Sequence, residues 1–407
     1  MGHDQEDLLW REDAVAQVRA VRRDVQASLG TESVPLESIA GRVAAESVVA
    51  DRDVPERDFA TMDGFAFDAT DPYPLSIVEG EVYPEADPPS IASGEAVRVA
   101  TGAPIPEAAN AVLKREEAVV EDGTLRGPDL TPGTYTYERG SNVSEGEVLV
   151  DGGERLSAKD AILLGDLGRD RLRVRDRFSA GLLATGTEIH EGRSRDLDSP
   201  MLAGLVRSWG HEATVEGSVP DEYDRVESAI ERLAAEYDVV ITTGGTSVGH
   251  KDHVVRALDA LGSVRFHRVR LRPGKPIALA ELPDHDAVAF AIPGKPIGAH
   301  TVATLVMRPF FTGNATTPTL RATMDRSVSL GPDGFDYAIP VLLSDDDGTR
   351  AMPLGHRDSP LRVYDEQFDP SVLSSSTRAS RADGLVVTRE PLEAGVNVDV
   401  VPYPVLE

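Results

Sequence analysis

The sequence contains no cysteine. That excludes disulfides, thiolate metal ligands and thiol nucleophiles together. It is also poor in lysine, with only Lys114, Lys159, Lys251, Lys275 and Lys295; every other basic residue is an arginine. Aromatic residues make up 5% of the chain, and no apolar run approaches the ~18 residues that a membrane span requires. The N-terminal MGHDQEDLLWRED has neither the basic nor the apolar region of a secretory signal. Glu6 also stands where a myristoylation signal has serine or threonine. These absences lead to the expectation of a soluble, cytoplasmic protein.

What is abundant is acid. Asp and Glu number 69 against 41 Lys and Arg, for a net charge of −28. DNA, RNA and anionic membranes need a basic face, so none is expected as a partner. The carboxylates are spread along the chain rather than gathered in a tail, which reads as a solvated surface. High acid with scarce lysine suggests adaptation to concentrated salt, where screening removes most self-repulsion.

At 407 residues, two to four domains are expected, taking about 150 residues for each. Residues 6–28 place Leu9, Val15, Val18, Val21 and Val25 at helical spacing. LESIAGRVAAESV, residues 36–48, predicts a second, short helix, and ERLSAKDAILLGDLG predicts another ending at Gly168. Between about 65 and 140 the texture turns to short β-like runs broken by Gly and Pro, which predicts a small β-rich domain. From 176 to 312, strand-like and helix-like segments alternate, which predicts a parallel, doubly wound α/β sheet. Alternation returns in FDYAIPVLL, DGLVVTRE and NVDVVPYPV, predicting a C-terminal β-barrel or sandwich. No internal repeat is longer than the tetrapeptide PGKP, at 273–276 and 293–296.

Ligands of open α/β sheets bind at the carboxyl ends of the strands, and three turns should converge there. ATGTEI carries Glu188. TTGGTSVGHKDH carries Gly244, Gly245, Thr246 and Ser247, whose backbone N–H groups suit a phosphate nest. The PGKP pair adds Arg272, Lys275 and Lys295. Lys251, Lys275 and Lys295 thus place three of the five lysines in these turns, which points to a phosphate or oxyanion ligand. Each piece taken alone also fits an ordinary turn: Glu188 as a helix cap, PGKP as a surface turn, Asp252 between His250 and His253 as solvated loop. Asp63-Gly64 and Thr101-Gly102 upstream read as turns that specify no chemistry.

Six stretches in order, ADRDVPERDFATMDGFAF, VRVATGAPIPEAANAV, LLATGTEI, ITTGGTSVGHKDHV, LRPGKPIALA and AIPGKPIGAH, resemble the successive motifs of the MoeA family of molybdopterin molybdenumtransferases. The resemblance covers most of the chain and is weakest at 1–10 and about 313–356. It implies an α/β and β multidomain protein. The parts are a split N-terminal domain (1–55 with 143–175), an inserted β-rich domain (56–142), a doubly wound, MogA/MoaB-like molybdopterin-binding domain (176–312) and a C-terminal β-barrel (313–407). It further implies insertion of molybdate into adenylylated molybdopterin with release of AMP, a Mg²⁺ cofactor, and a homodimer whose active site is shared between subunits. Carried over by motif, Asp63 and Thr101 would reach the partner's site. Glu188, Asp221 and Asp252 would lie by the pterin, nucleotide and Mg²⁺. The Gly244–Ser247 turn, Arg272, Lys275, Pro293, Lys295 and Pro296 would frame the phosphates and oxyanion, with Glu188, Asp252, Lys275 and Asp63 closest to the chemistry.

Three positions depart from the family pattern. Lys295 replaces an asparagine, Gly298 a serine, and Asn142 an aspartate, so the resemblance implies a more positive site. Alternatives stay open at this point: a tungstate-preferring paralogue, a molybdopterin adenylyltransferase, or a non-catalytic molybdopterin-binding scaffold.

Overall fold

The computed structural model describes residues 8–245, 253–345 and 348–407. The chain divides into two compact units, Met1–Gly30 with Arg175–Glu407, and Thr31–Val174.

The first unit is built on a six-stranded sheet. Its strands are β1 (Ser179–Thr185), β2 (Glu212–Val219), β3 (Val239–Thr243), β4 (Ser263–His267), β5 (Ala278–Leu282) and β6 (Ala287–Ile292), in the order β2-β1-β3-β6-β5-β4. The runs AGLLAT, VVITT and AVAFAI are buried throughout, as strands covered on both faces must be. Alternate residues serve opposite cores. Leu182, Ile241 and Phe290 pack in one cluster, Leu183, Val240 and Ala289 in the other. The helix Tyr223–Ala234 lays Val226, Ile230 and Leu233 on the second face. The helix Asp198–Ser208 lies on the first and stops before Gly210 at φ +93°.

The sheet is mixed rather than wholly parallel. β2, β1, β3 and β6 are parallel, while β5 runs antiparallel to both β6 and β4. Only the single turn Pro283–His285 and a left-handed Asp286 join β5 to β6, too little chain for a crossover helix.

Beyond it, β7 (Leu320–Met324), β8 (Asp336–Ser344), β9 (Arg350–Pro353), β10 (Gly384–Thr388) and β11 (Asn397–Pro402) pair in the order β8-β9-β7-β11-β10, and β10 returns to β8. This closes a five-stranded barrel, and a closed sheet leaves no free edge. The N-terminal helix starts at Arg11, later than its periodicity suggests, because Leu9 bridges to Val269 and Trp10 is extended. The Trp10 ring lies against the guanidiniums of Arg270 at 5.2 Å and Arg389 at 4.1 Å.

The second unit carries a six-stranded sheet in the order 111–114, 64–67, 95–99, 75–82, 124–126, 119–121. Here too the sheet has two apolar faces: Phe65, Phe67, Ala96 and Leu113 on one, Ala66, Val97, Val99 and Val112 on the other. The helix expected over 36–48 does not form. After a single turn at Leu36–Ser38, Gly41 takes φ +79°, Val43 and Ala44 bridge to Arg155 and Val174, and Val48 pairs with Val150. Tertiary β pairing overrides a weak helical preference. The helix expected over 154–168 is confined to Asp160–Asp166, because the Leu156 N–H is committed to the Arg42 carbonyl. Asp160 anchors its start by accepting from the Ser157 backbone N–H at 2.6 Å and from Ser157 Oγ at 2.9 Å. Among the described residues no helix is long and apolar enough to cross a membrane.

Candidate active site

At the carboxyl edge of the first unit's sheet, four turns are tied into one rim. The Gly186 N–H donates to the Val219 carbonyl at 3.1 Å, and the Asp221 N–H to Thr187 Oγ1 at 3.1 Å. Thr185 Oγ1 donates to the Thr243 carbonyl at 3.2 Å, and the Gly244 N–H to the Ile292 carbonyl at 3.1 Å. The approach is close enough to require glycine. A methyl group on Gly244 would fall 2.6 Å from the Thr185 carbonyl oxygen, and one on Gly294 would fall 2.9 Å from Gly244 Cα.

This rim gathers Glu188, Asp221, Gly244, Gly245, Pro293 and Pro296. Glu188 sits in the short helix Thr187–His190 directly after β1, and Asp221 two residues beyond β2. Neither carboxylate makes an ion pair among the described residues. Among the described residues no three or more His, Asp or Glu side chains come together as a metal site, so these two carboxylates alone do not make one. Thr246, Ser247 and Asp252 lie outside the described residues.

The two PGKP turns pack on the same helix. Pro296 opens the helix Pro296–Val302 at its first position, where a missing N–H costs nothing. Gly274 of the first turn sits so close to that helix that a methyl group would meet Val302 Cγ1 at 2.4 Å and stand 3.4 Å from the Gly298 carbonyl. The repeat thus brings Lys275 to the structural neighbourhood of the second turn.

Two cations expected at the rim are engaged elsewhere. Lys295 Nζ donates to the Ser371 carbonyl at 3.2 Å, and the next turn of backbone is held by the Ile297 N–H on the Ser374 carbonyl at 3.0 Å. Arg272 lies in a two-residue strand paired with β8, its guanidinium 4.1 Å from the centre of the Phe335 ring. Lys295 thus meets the helix Pro370–Leu373, and Arg272 is joined to the barrel strand β8. The other departures from the family pattern are equally local. Asn142 donates to the Asp166 carboxylate at 2.9 Å, where an aspartate would face like charge. Gly298 has room for a serine, since an added methyl group would meet its neighbours at 3.8 Å.

Asp63 and Thr101 belong to the second unit and form one hydrogen-bonded pair. Asp63 Oδ1 accepts from the Thr101 N–H and from Thr101 Oγ1, each at 2.7 Å. These two donors hold the exposed Asp63 carboxyl below the usual carboxylate range. Gly64 explains the Asp-Gly order: a methyl group there would fall 2.0 Å from the Leu113 carbonyl oxygen of the adjoining strand. The pair borders two hollows. One, of about 280 Å³, is lined by Asp63, Glu81, Arg98 and Arg115; the other, of about 740 Å³, reaches from Thr101 to Arg52, Tyr137 and Asp166.

Sequence reasoning missed Asp198. It starts the helix Asp198–Ser208 yet is only 7% exposed, and it accepts from Thr243 Oγ1 at 3.0 Å. Burial pushes its carboxyl up to about 6, against the opposing hydrogen bond from Thr243. Read in sequence, it is one more acidic residue at a helix start.

Residues 11–168 match the MoeA N-terminal region (domain I and II), and residues 181–313 match a probable molybdopterin binding domain. A molybdopterin molybdenumtransferase of Synechococcus elongatus is 31% identical over 305 residues, 70% of this chain and 75% of that protein. One from Haemophilus influenzae is 31% identical over 66% of this chain and 69% of its own length. The solved structure of a molybdopterin biosynthesis MoeA protein from Pyrococcus horikosii superposes with a TM-score of 0.74 at 27% identity, covering 97% of this chain and 99% of that one. Fold and rim together define a protein of the molybdopterin-binding α/β class, extended by a β-rich region and a barrel. The chain belongs to the MoeA family of molybdopterin molybdenumtransferases. Similarity through both the N-terminal region and the α/β domain does not favour the adenylyltransferase or scaffold alternatives.

Proposed function

We propose that this chain inserts molybdate into adenylylated molybdopterin and releases AMP, the molybdotransferase step of molybdenum cofactor biosynthesis. The observation that carries the reading is the rim, where free carboxylates, a glycine turn and the Lys275 turn meet at the carboxyl edge of a sheet whose family is that of molybdenumtransferases. In the glycine turn the Gly244 N–H is committed to the Ile292 carbonyl, so Gly245 supplies the backbone N–H for an anion, and Lys275 adds a cation that makes no ion pair among the described residues. Glu188 and Asp221, with Asp252, would hold Mg²⁺, which would take up charge on the departing phosphate. The chain's own residues position the oxyanion beside the phosphoanhydride and keep both in register.

The working unit in this reading is a homodimer in which Asp63 and Thr101 of one subunit complete the partner's site. Support comes from the resemblance and from the preformed, solvent-facing Asp63–Thr101 pair. The protein works in the cytoplasm, in concentrated salt, as its charge of −28 and five lysines suggest.

The test is AMP release from adenylylated molybdopterin with Mg²⁺ in molar salt, with and without molybdate. Molybdate-dependent release supports the reading, and release indifferent to oxyanion overturns it. Mixing Asp63→Ala and Glu188→Ala subunits tests the shared site: activity should return in the mixed dimer, and a monomeric mass in molar salt would refute the arrangement.

A further inference from the structure

The helix Asp198–Ser208 begins at the carboxyl edge of the sheet, beside the turn that follows β3. A helix start there needs only a cap, and Asp196 already supplies it by accepting from the N–H groups of Asp198 at 3.1 Å and Ser199 at 3.0 Å. Asp198 is therefore not required as a cap. Its Oδ2 accepts from Thr243 Oγ1 at 3.0 Å, the last residue before Gly244. Its Oδ1 is buried without a hydrogen-bond partner among the described residues, and so is Oγ of the fully buried Ser199 beside it. A buried carboxylate oxygen with no donor is costly when ionised, and protonation removes that cost.

We infer that Asp198 is the positioning residue of the anion site: it holds the Thr243–Gly244–Gly245 turn through Thr243 and takes up a proton when a tetrahedral dianion occupies that turn. The inference rests on the reading of this rim as an anion site. The path from Asp198 Oδ2 to the Gly244 backbone is one hydrogen bond and the single residue Thr243, which puts a dianion in the turn within roughly 8 Å of the carboxyl. At that range, with the effective dielectric kept near that of water by the open, salt-screened rim, it raises the proton affinity of Asp198 about tenfold. The carboxyl itself starts near 6, so the change falls between about pH 5.5 and 8.

The charged surroundings allow this coupling. Asp196, on the turn before the helix, is the carboxylate that faces Asp198 and already favours its protonation. β1 and β3 present the neutral Thr185 and Thr243. On β2, Glu216 is taken up by Tyr237 at 2.7 Å and Arg232 at 3.4 Å, and Glu212 pairs with Ser179 at the opposite, amino end of the sheet. Across the packing of Asp198–Ser208 on Pro296–Val302, Lys295 is engaged with Ser371 and His300 with Glu407. Glu188 and Asp221 complete the rim.

The experiment uses sulfate, a tetrahedral dianion whose own charge does not change between pH 5.5 and 8. Binding is measured calorimetrically on the full chain at fixed ionic strength, in buffers of different ionisation enthalpy. Wild-type affinity should fall about tenfold from pH 5.5 to 8, with about half a proton taken up per sulfate near pH 6.5. Asp198→Asn, neutral at every pH, should bind within twofold across the range and take up no such proton. Thr243→Ala leaves the carboxyl in place but cuts its link to the turn, so it should weaken binding at every pH while keeping the slope. Equal slopes in wild type and Asp198→Asn would overturn the inference and leave the anion site standing. Absence of sulfate binding to the wild type, or binding unaffected by Lys275→Ala, would overturn the anion site and the inference with it.

Discussion

The rim of the α/β sheet and the Asp63–Thr101 pair show two ways of making a functional surface. The rim is backbone work. Its turns are held by main-chain and threonine hydrogen bonds, and glycines bring Gly244, Gly294 and Thr185 closer than any side chain allows. The Asp63–Thr101 pair is side-chain work on an exposed edge, and only Gly64, at the strand behind it, is sterically committed. A backbone-built site ties function to folding, since the same atoms serve both. A side-chain pair on the surface separates them, since its loss leaves the sheet beneath intact.

The sharpest way to break this comparison is Gly244→Ala. At φ +89° with 2.6 Å to a backbone oxygen, the methyl group has nowhere to go. It should cost about 2–4 kcal/mol of stability and abolish most activity, measured by denaturation and by AMP release. If stability is untouched, the rim is not the rigid structure described.

Next in size is Asp63→Asn, with Thr101→Val as its counterpart. Either should lower activity on the order of 10- to 100-fold while leaving Tm within about 2 °C, because both residues are solvent-exposed. A drop in both readouts would show that this pair, too, supports the fold.

A third measurement concerns stability against pH. The folded-state carboxyl of Asp198 is raised to about 6 from 3.8, so folding favours its protonated form. Its stabilising contribution is complete below about pH 4 and is lost as pH rises through 6, amounting to about 2 kcal/mol. Wild type should lose that amount between pH 4 and 7, and Asp198→Asn should not. The same slope in both would mean that other groups carry it.

The smallest effect is expected at Asn142→Asp, which places a second carboxylate 2.9 Å from Asp166. The loss should be about 0.5 kcal/mol in dilute buffer and vanish in molar salt, as befits an exposed pair in a chain of charge −28. A loss that persists in molar salt would point to a site more buried than this one.

Much of the α/β unit was legible from its residues. Strand runs such as AGLLAT and helix faces such as Val226, Ile230 and Leu233 declare themselves because burial on two faces or on one leaves a period in the sequence. The 36–48 segment misled for the same reason in reverse. Its apolar residues fit a helix locally, but Val43, Ala44 and Val48 are paired by distant strands that local pattern does not contain. The site divided similarly. Glu188 and Gly244 stand beside strand ends and could be read in order along the chain. Lys295 and Arg272 could not, because what a cation on a loop touches depends on Ser371 and Phe335, far along the chain.

By itself, then, the sequence determined what chemistry was possible. With no cysteine there is no thiol, with five lysines the cations at the turns stand out, and with glycines at strand ends the backbone can approach a ligand. It also carried the family, through six motifs in order. Tertiary structure alone decided which charges remain free to act. It turned Lys295 toward Ser371 and Arg272 toward Phe335, paired Asp63 with Thr101, and buried Asp198 under the glycine turn. The physical reason is that a charge takes its role from its dielectric surroundings and nearest partners, and both are set by contacts between residues remote in sequence.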